Sequence, residues 1–229
     1  NNGNIISAGE YATIILSTDG GTSWNVTHKV HDTTSSINSI FRLNDNLIFA
    51  GSHESRILRS TNAGMNWTVI SRIGYMLNNL KRIFFLNSSL GYVLFPDRVF
   101  KTTNGGVDWL PAGILPQQCN DLFFTDNNTG FAAGGAIVDN SVTSWVFKTT
   151  NGGANWLSLP VPEVGPVTRI QFLNPNIGYM SGFSVLLKTT NSGVNWTALT
   201  NLPGNQFKDF YFFDENTGYA GTYSYFLKT

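Results

Sequence analysis

One phrase recurs five times along the chain and constrains the fold more than any other feature. It reads Ser-Thr-Asp-Gly-Gly-Thr-Ser-Trp at residues 17–24, and close variants follow at 60–67, 102–109, 149–156 and 189–196. The closing tryptophans, Trp24, Trp67, Trp109, Trp156 and Trp196, are spaced by 43, 42, 47 and 40 residues. Internal periodicity of roughly 40–45 residues marks a four-stranded propeller blade, because each unit must stack on its neighbours to bury its apolar faces. The sequence thus predicts an all-β fold, a β-propeller of four-stranded antiparallel blades, forming one domain over 1–229. The divisions expected are a partial blade at 1–30, blades at about 36–72, 79–113, 119–160 and 167–200, and a partial blade at 207–229. About five repeats are visible. The first begins at strand two (residues 4–9) and a sixth phrase starts at Lys228, so the expectation is part of a larger, seven-bladed ring, with a compact five-bladed ring with frayed ends as the alternative.

Each repeat parses into four strands. In the repeat with the sharpest boundaries, strand one is 121–125, a turn occupies 126–130, and strand two is 131–134. An insertion at 135–144 reads as a long loop. Strand three is 145–149, and an Asn-Gly-Gly turn at 151–153 leads to strand four near Trp156. Short apolar runs bounded by Gly, Asn and Pro are the strand signature, and Asn-Gly or Asp-Gly supplies the positive φ of tight hairpins.

The phrase Ser/Thr-x-Asp/Asn-x-Gly-x-x-Trp resembles the Asp-box, or BNR repeat, of sialidases, xyloglucanases and sortilin-type propellers. The longer pattern, with Gly178-Tyr179 followed by Lys188-Thr-Thr-Asn191, resembles the photosystem II stability/assembly factor family and its bacterial relatives. That resemblance implies a propeller whose boxes lie away from the ligand face, and a chaperone-like role on a membrane-protein partner. Only Asp19 keeps the acid of the box; Asn62, Asn104, Asn151 and Asn191 replace it elsewhere. Asn accepts hydrogen bonds from turn amides as Asp does, so a structural role is expected for all five positions. The tryptophans, recurring once per blade, are expected to be buried between adjacent sheets.

Composition narrows the function classes. Lys plus Arg equal Asp plus Glu at 14 each, and charged residues make up 12% of the chain, which gives no electrostatic footprint for nucleic acid. No apolar run is long enough to span a bilayer, so direct membrane insertion is not expected. The single cysteine, Cys119, aligns with Ile37, Leu80, Val167 and Phe207 and reads as a core hydrophobe. The abundance of Asn, Thr, Ser and Gly suggests an exported protein, whether periplasmic, lumenal or extracellular. No cofactor or metal is expected. His28, His31 and Asp32 have a superficial metal-ligand spacing, and 126–130 and 214–218 look like calcium loops, but the first reads as a solvated connection and the others as inter-strand turns lacking the terminal Glu.

The topology points to the end of the blades opposite the repeated turns. There strand one begins, and its first polar positions align as Ser39, Arg82, Asp121, Arg169 and Asp209, flanked by Lys81 and Lys208. Loops from strand two to strand three open at the same end and add Arg56, Arg98, Tyr223 and the 135–144 insertion beside Trp145. Variable charge on a regular scaffold suits partner binding. The same Arg and Asp residues, mutually paired, would equally serve to tie blades together. Enzymatic readings lack their parts: no Phe/Tyr-Arg-Ile-Pro phrase of sialidases occurs, and only Asp121 and Asp209 are candidates for the opposed carboxylates of a xyloglucanase. The expectation is therefore a non-catalytic module for a protein or glycan partner, monomeric or part of a larger polypeptide. The alternative is a fragment of a glycoside hydrolase.

Overall fold

A computed structural model defines residues 3–29, 35–74, 79–200, 202 and 206–228. The chain divides into two compact units, 1–111 and 112–229. Each is a succession of antiparallel sheets whose strands follow one another in sequence order.

The first unit opens with a three-stranded sheet of β1 (Ile5–Ala8), β2 (Ile14–Ser17) and β3 (Asn25–His28). A four-stranded sheet follows, made of β4 (Ile37–Arg42), β5 (Ile48–Ser52), β6 (Arg56–Ser60) and β7 (Thr68–Arg72). The third comprises β8 (Arg82–Phe85), β9 (Gly91–Phe95), β10 (Arg98–Thr102) and β11 (Leu110–Ile114), and the unit boundary falls inside β11. In the second unit β12 (Cys119–Phe124), β13 (Gly130–Val138), β14 (Ser141–Thr149) and β15 (Leu157–Leu159) form one sheet. The next is β16 (Arg169–Phe172), β17 (Gly178–Ser181), β18 (Leu186–Thr189) and β19 (Thr197–Ala198). A three-stranded sheet of β20 (Phe207–Phe212), β21 (Gly218–Thr222) and β22 (Phe226–Lys228) is the last. These are propeller blades, six sheets in all among the described residues, because the partial repeats at both ends also form sheets.

A cross-strand pair of one aromatic and one glycine builds the core of most blades. The last residue of strand one faces the first of strand two as Phe85↔Gly91, Phe124↔Gly130, Phe172↔Gly178 and Phe212↔Gly218. The ring lies flat over the glycine, and a Cβ at Gly178 would sit 2.7 Å from the Phe172 ring. The other face of that ring stacks on strand two of the preceding blade, Phe49 on Phe85 at 3.6 Å, Phe131 on Phe172 at 3.9 Å and Tyr179 on Phe212 at 3.8 Å. Such aromatic pairs contribute about 0.5–1.5 kcal/mol beyond their buried area. Aliphatic side chains such as Ile57, Ile83 and Val93 fill the space around them in the first unit, and Val146, Ile170 and Met180 in the second.

The insertion at 135–144 differs from its reading as a loop. β13 and β14 pair without a break from Gly130↔Thr149 to Val138↔Ser141, so the inserted residues extend the hairpin outward. Asp139 and Asn140, at φ 49° and 64°, form the two-residue turn whose handedness matches the twist of the flanking strands. The alternating Val-Thr and Ile-Val pattern could have signalled this extension.

Candidate functional site

The repeated turns close on themselves at one end of the sheets. In each, the Ser or Thr hydroxyl that opens the phrase accepts the glycine amide four residues on, at 2.8 Å for Ser17, 2.9 Å for Ser60 and Thr102, and 3.0 Å for Thr149 and Thr189. The side-chain oxygens of Asp19, Asn62, Asn104, Asn151 and Asn191 each accept the amide of the fourth residue beyond at 2.9 Å. The same oxygens accept the opening hydroxyl at 2.8–3.0 Å. At Asp19, hydrogen bonds from the Ser23 hydroxyl and amide and from Ser17 hold the carboxyl down at about 2.

The tryptophans that end these turns divide by environment. Trp67 Nε1 donates to Thr27 Oγ1 at 3.2 Å, and Trp109 Nε1 to Ser71 Oγ at 3.1 Å, each on the outer strand of the preceding blade. Both are half-buried. Trp156 and Trp196 are 8% exposed, and their indole N–H groups have no hydrogen-bond partner. Gly113, where a Cβ would clash with the Gly153 carbonyl oxygen, stands beside the turn of Trp156 as Ser71 does beside that of Trp109, and it supplies no hydroxyl. Trp24 corrects the expectation that all five are buried: it is 42% exposed. It belongs to the first sheet, and no outer strand of an earlier sheet is present among the described residues to cover it.

At the opposite end of the first unit, Ser39 Oγ accepts the amide of Ile83, which lies on the inner strand of the next sheet, at 3.0 Å. Arg56, Arg82 and Arg98 begin β6, β8 and β10, so all three stand at this end. Arg56 pairs with Glu54 and Arg98 with Asp97, both at 2.9 Å. Arg72, the register partner of Arg56, donates from Nε to the Glu54 carbonyl at 3.2 Å. Burial, with the nearby positive charge of Arg56, lowers the His28 pKa and favours the neutral imidazole. His31 and Asp32 lie outside the described residues.

In the second unit the corresponding positions form a chain of charges. Asp121, 2% exposed, accepts the Ile170 amide at 2.8 Å and lies 3.3 Å from Arg169 Nη1. Arg169 Nε is 3.1 Å from Asp209 Oδ1. The structure therefore brings Asp121, Arg169 and Asp209 together on one guanidinium. Tyr223, 72% exposed, carries the Lys208 ammonium 3.8 Å above its ring. Trp145 lies over Gly134 and donates from Nε1 to the Gln118 carbonyl at 2.9 Å. At the base of the hairpin, Ser144 accepts the Val164 amide and donates to the Gly165 carbonyl, which leaves Ile137, Val138 and Val142 exposed beyond it. Cys119 is buried, and burial pushes its thiol up to about 12.

The two acidic turns resembling calcium loops use their carboxylates internally. Asp126 Oδ1 accepts the Asn128 and Thr129 amides, and Asp214 Oδ1 those of Asn216 and Thr217, all at 2.8 Å. Those amides lower the Asp214 pKa. Asn44, Asn87 and Asn174 perform the same function in their blades, a regularity the alignment of repeats carries but charge-based reading overlooks. No group of three or more potential metal ligands occurs among the described residues.

No family model matches the sequence, and no curated protein matches it. Solved structures do. The chain resembles YCF48 from Cyanidioschyzon merolae with a TM-score of 0.70 and 12% identity, over 96% of this chain and 77% of that one. A structure of YCF48 bound to D1 peptide matches with a TM-score of 0.54 and 16% identity, over 96% and 87%. The GH74 xyloglucanase from Xanthomonas campestris matches with a TM-score of 0.71 and 13% identity, over 98% of this chain but 43% of that one, so the chain spans less than half of that enzyme. At these identities the likeness establishes the β-propeller fold and leaves function to the side chains.

Proposed function

We propose that this chain is a non-catalytic binding module that presents the strand-one end of its blades to a protein partner, in the manner of an assembly factor. The observation that carries the reading is the grouping of Arg56, Arg82 and Arg98 at one end of the first unit. Six of the seven arginines of the chain fall in that unit, where nine Lys and Arg stand against seven Asp and Glu. Arginine suits such a surface because its planar fork pairs with carboxylates and stacks on rings. A structural neighbour bound to a peptide supports a protein rather than a glycan as partner. The glycoside hydrolase reading is disfavoured by geometry: glycoside cleavage needs two carboxyls facing each other across the sugar, whereas Asp121 and Asp209 both approach the one guanidinium of Arg169.

The test is a fluorescence titration of acidic, neutral and basic peptide pools against the parent and an Arg56→Glu/Arg98→Glu variant, with xyloglucan in parallel. Acidic peptides should bind in a salt-dependent way, and the variant should weaken them about tenfold or more. Equal binding of all three pools, or release of sugar from xyloglucan, would replace this reading with another.

A further inference from the structure

Two of the repeated turns contain an Asn-Gly step, Asn104-Gly105 and Asn151-Gly152. The backbone at both glycines is left-handed, with φ of 72° and 68°, a conformation glycine adopts without strain and one that Ala63 and Ser192 take at the same place in two other turns. Asn-Gly is also the dipeptide most prone to deamidation, since no Cβ shields the backbone nitrogen from the preceding side chain. In that reaction the deprotonated glycine nitrogen attacks the Asn Cγ, a C–N bond forms and ammonia leaves. Water then opens the succinimide at either carbonyl to give Asp or isoAsp. Nothing is oxidised or reduced, and water is the sole co-reactant.

Both reacting groups are held apart from this course. The Gly105 N–H donates to the Ser89 carbonyl at 2.9 Å, and the Gly152 N–H to the Asn128 carbonyl at 2.8 Å, each in the neighbouring hairpin turn of its own sheet. The electrophile is pinned as well. Asn104 Oδ1 accepts the Asp108 amide and the Thr102 hydroxyl, and Asn151 Oδ1 the Asn155 amide and the Thr149 hydroxyl, at 2.9–3.0 Å. Attack requires breaking the nucleophile's bond and rotating the side chain away from two donors at once.

We propose that Asn104 and Asn151 are latent modification sites, silent in the folded turn and hydrolysed by water when the turn opens. The products would differ in consequence. Asp19 holds the same bonds with a carboxylate, so an aspartyl product can re-form the turn. An isoaspartyl product inserts a methylene into the main chain and breaks the four-residue register on which every bond of the turn depends. Modification at these sites therefore records opening events of the blade.

Peptide mapping by mass spectrometry, after incubation in mildly alkaline buffer with and without urea, tests this. Both sites should deamidate at least about tenfold more slowly in the folded protein than in urea. Thr149→Ala, folded by circular dichroism, should raise the rate at Asn151 and leave that at Asn104 unchanged. Equal rates with and without urea would overturn the proposal, whatever the variant does. So would a folded Thr149→Ala protein that deamidates at Asn151 no faster than its parent.

Discussion

The two ends of the blades solve the same problem, satisfying backbone amides where strands begin and end, in opposite ways. At the turn end the amides of each turn are satisfied within its own blade, while the Trp67 and Trp109 indoles reach the preceding one, and five turns use one pattern with Asp or Asn interchangeably. At the strand-one end the bond crosses to the next blade, and its acceptor changes. Ser39 provides a neutral hydroxyl for Ile83, whereas Asp121 provides a carboxylate for Ile170 and engages Arg169 as well. Local closure of the amides makes the pattern of a turn repeatable from blade to blade. A bond between blades must match both partners, so its chemistry diverges. Charge at the strand-one end is thus partly consumed by packing: the Arg169 side chain is 12% exposed, against 34% for Arg56 and 44% for Arg98.

The largest expected effect lies at that divergent end. Asp121→Ala removes the acceptor of a buried amide and leaves Arg169, whose side chain is 12% exposed, without its buried counter-charge, which should cost about 3–5 kcal/mol. Ser39→Ala orphans one buried amide and should cost about 1–3 kcal/mol. Urea melts of the two variants against the parent measure both. Equal losses would mean that the guanidinium contributes nothing to the joint and would erase the distinction between the two acceptors.

Much of the fold was legible in the sequence because the information repeats. The turn phrase can be read five times over, and the Phe-to-Gly spacing of the inner hairpin four times. The extended hairpin was missed because Gly134-Gly135 looks like the end of a strand, while the pairing of Ile137 with Val142 carries it on. Trp24 was misjudged because its environment depends on an outer strand that its own repeat does not supply. The strand-one residues stand near the starts of β4, β8, β12, β16 and β20, but their engagement is hidden in the sequence. An aligned row of Ser, Arg, Asp, Arg and Asp does not reveal that Asp121 reaches the Ile170 amide, 49 residues away.

A smaller effect should separate two turns that look alike. Asn104 donates from Nδ2 to Asp108 Oδ2 at 2.8 Å, whereas the fourth residue beyond Asn151 is the neutral Asn155. Asn104→Asp would set two carboxylates against each other and should cost about 0.5 kcal/mol, the scale of a like-charge pair at this spacing. Asn151→Asp should be neutral. Thermal melts at low and high salt should show the Asn104→Asp loss shrinking with screening; a salt-independent loss would point to backbone geometry instead.

The smallest effect concerns the one turn that kept its acid. Asp19 is fully exposed, yet the Ser23 hydroxyl and amide and the Ser17 hydroxyl all donate to its carboxylate and hold its pKa at about 2, below the ordinary 3.8. A carboxyl depressed in the folded state stabilises the fold above its unfolded pKa, and that contribution disappears as pH falls through the folded value. The turn at 17–24 should therefore weaken between pH 3.8 and about 2, a window in which the side chains of Asn62, Asn104, Asn151 and Asn191 do not titrate. Solvent screening keeps the stability change slight, so the carboxyl itself is the better readout. Followed by NMR, it should titrate near 2 in the parent and rise towards 3.8 in Ser23→Ala, which removes the strongest of its donors. An unchanged midpoint in that variant would show that the turn's backbone alone sets the acidity, and that Asp and Asn are equivalent here in charge as well as in geometry.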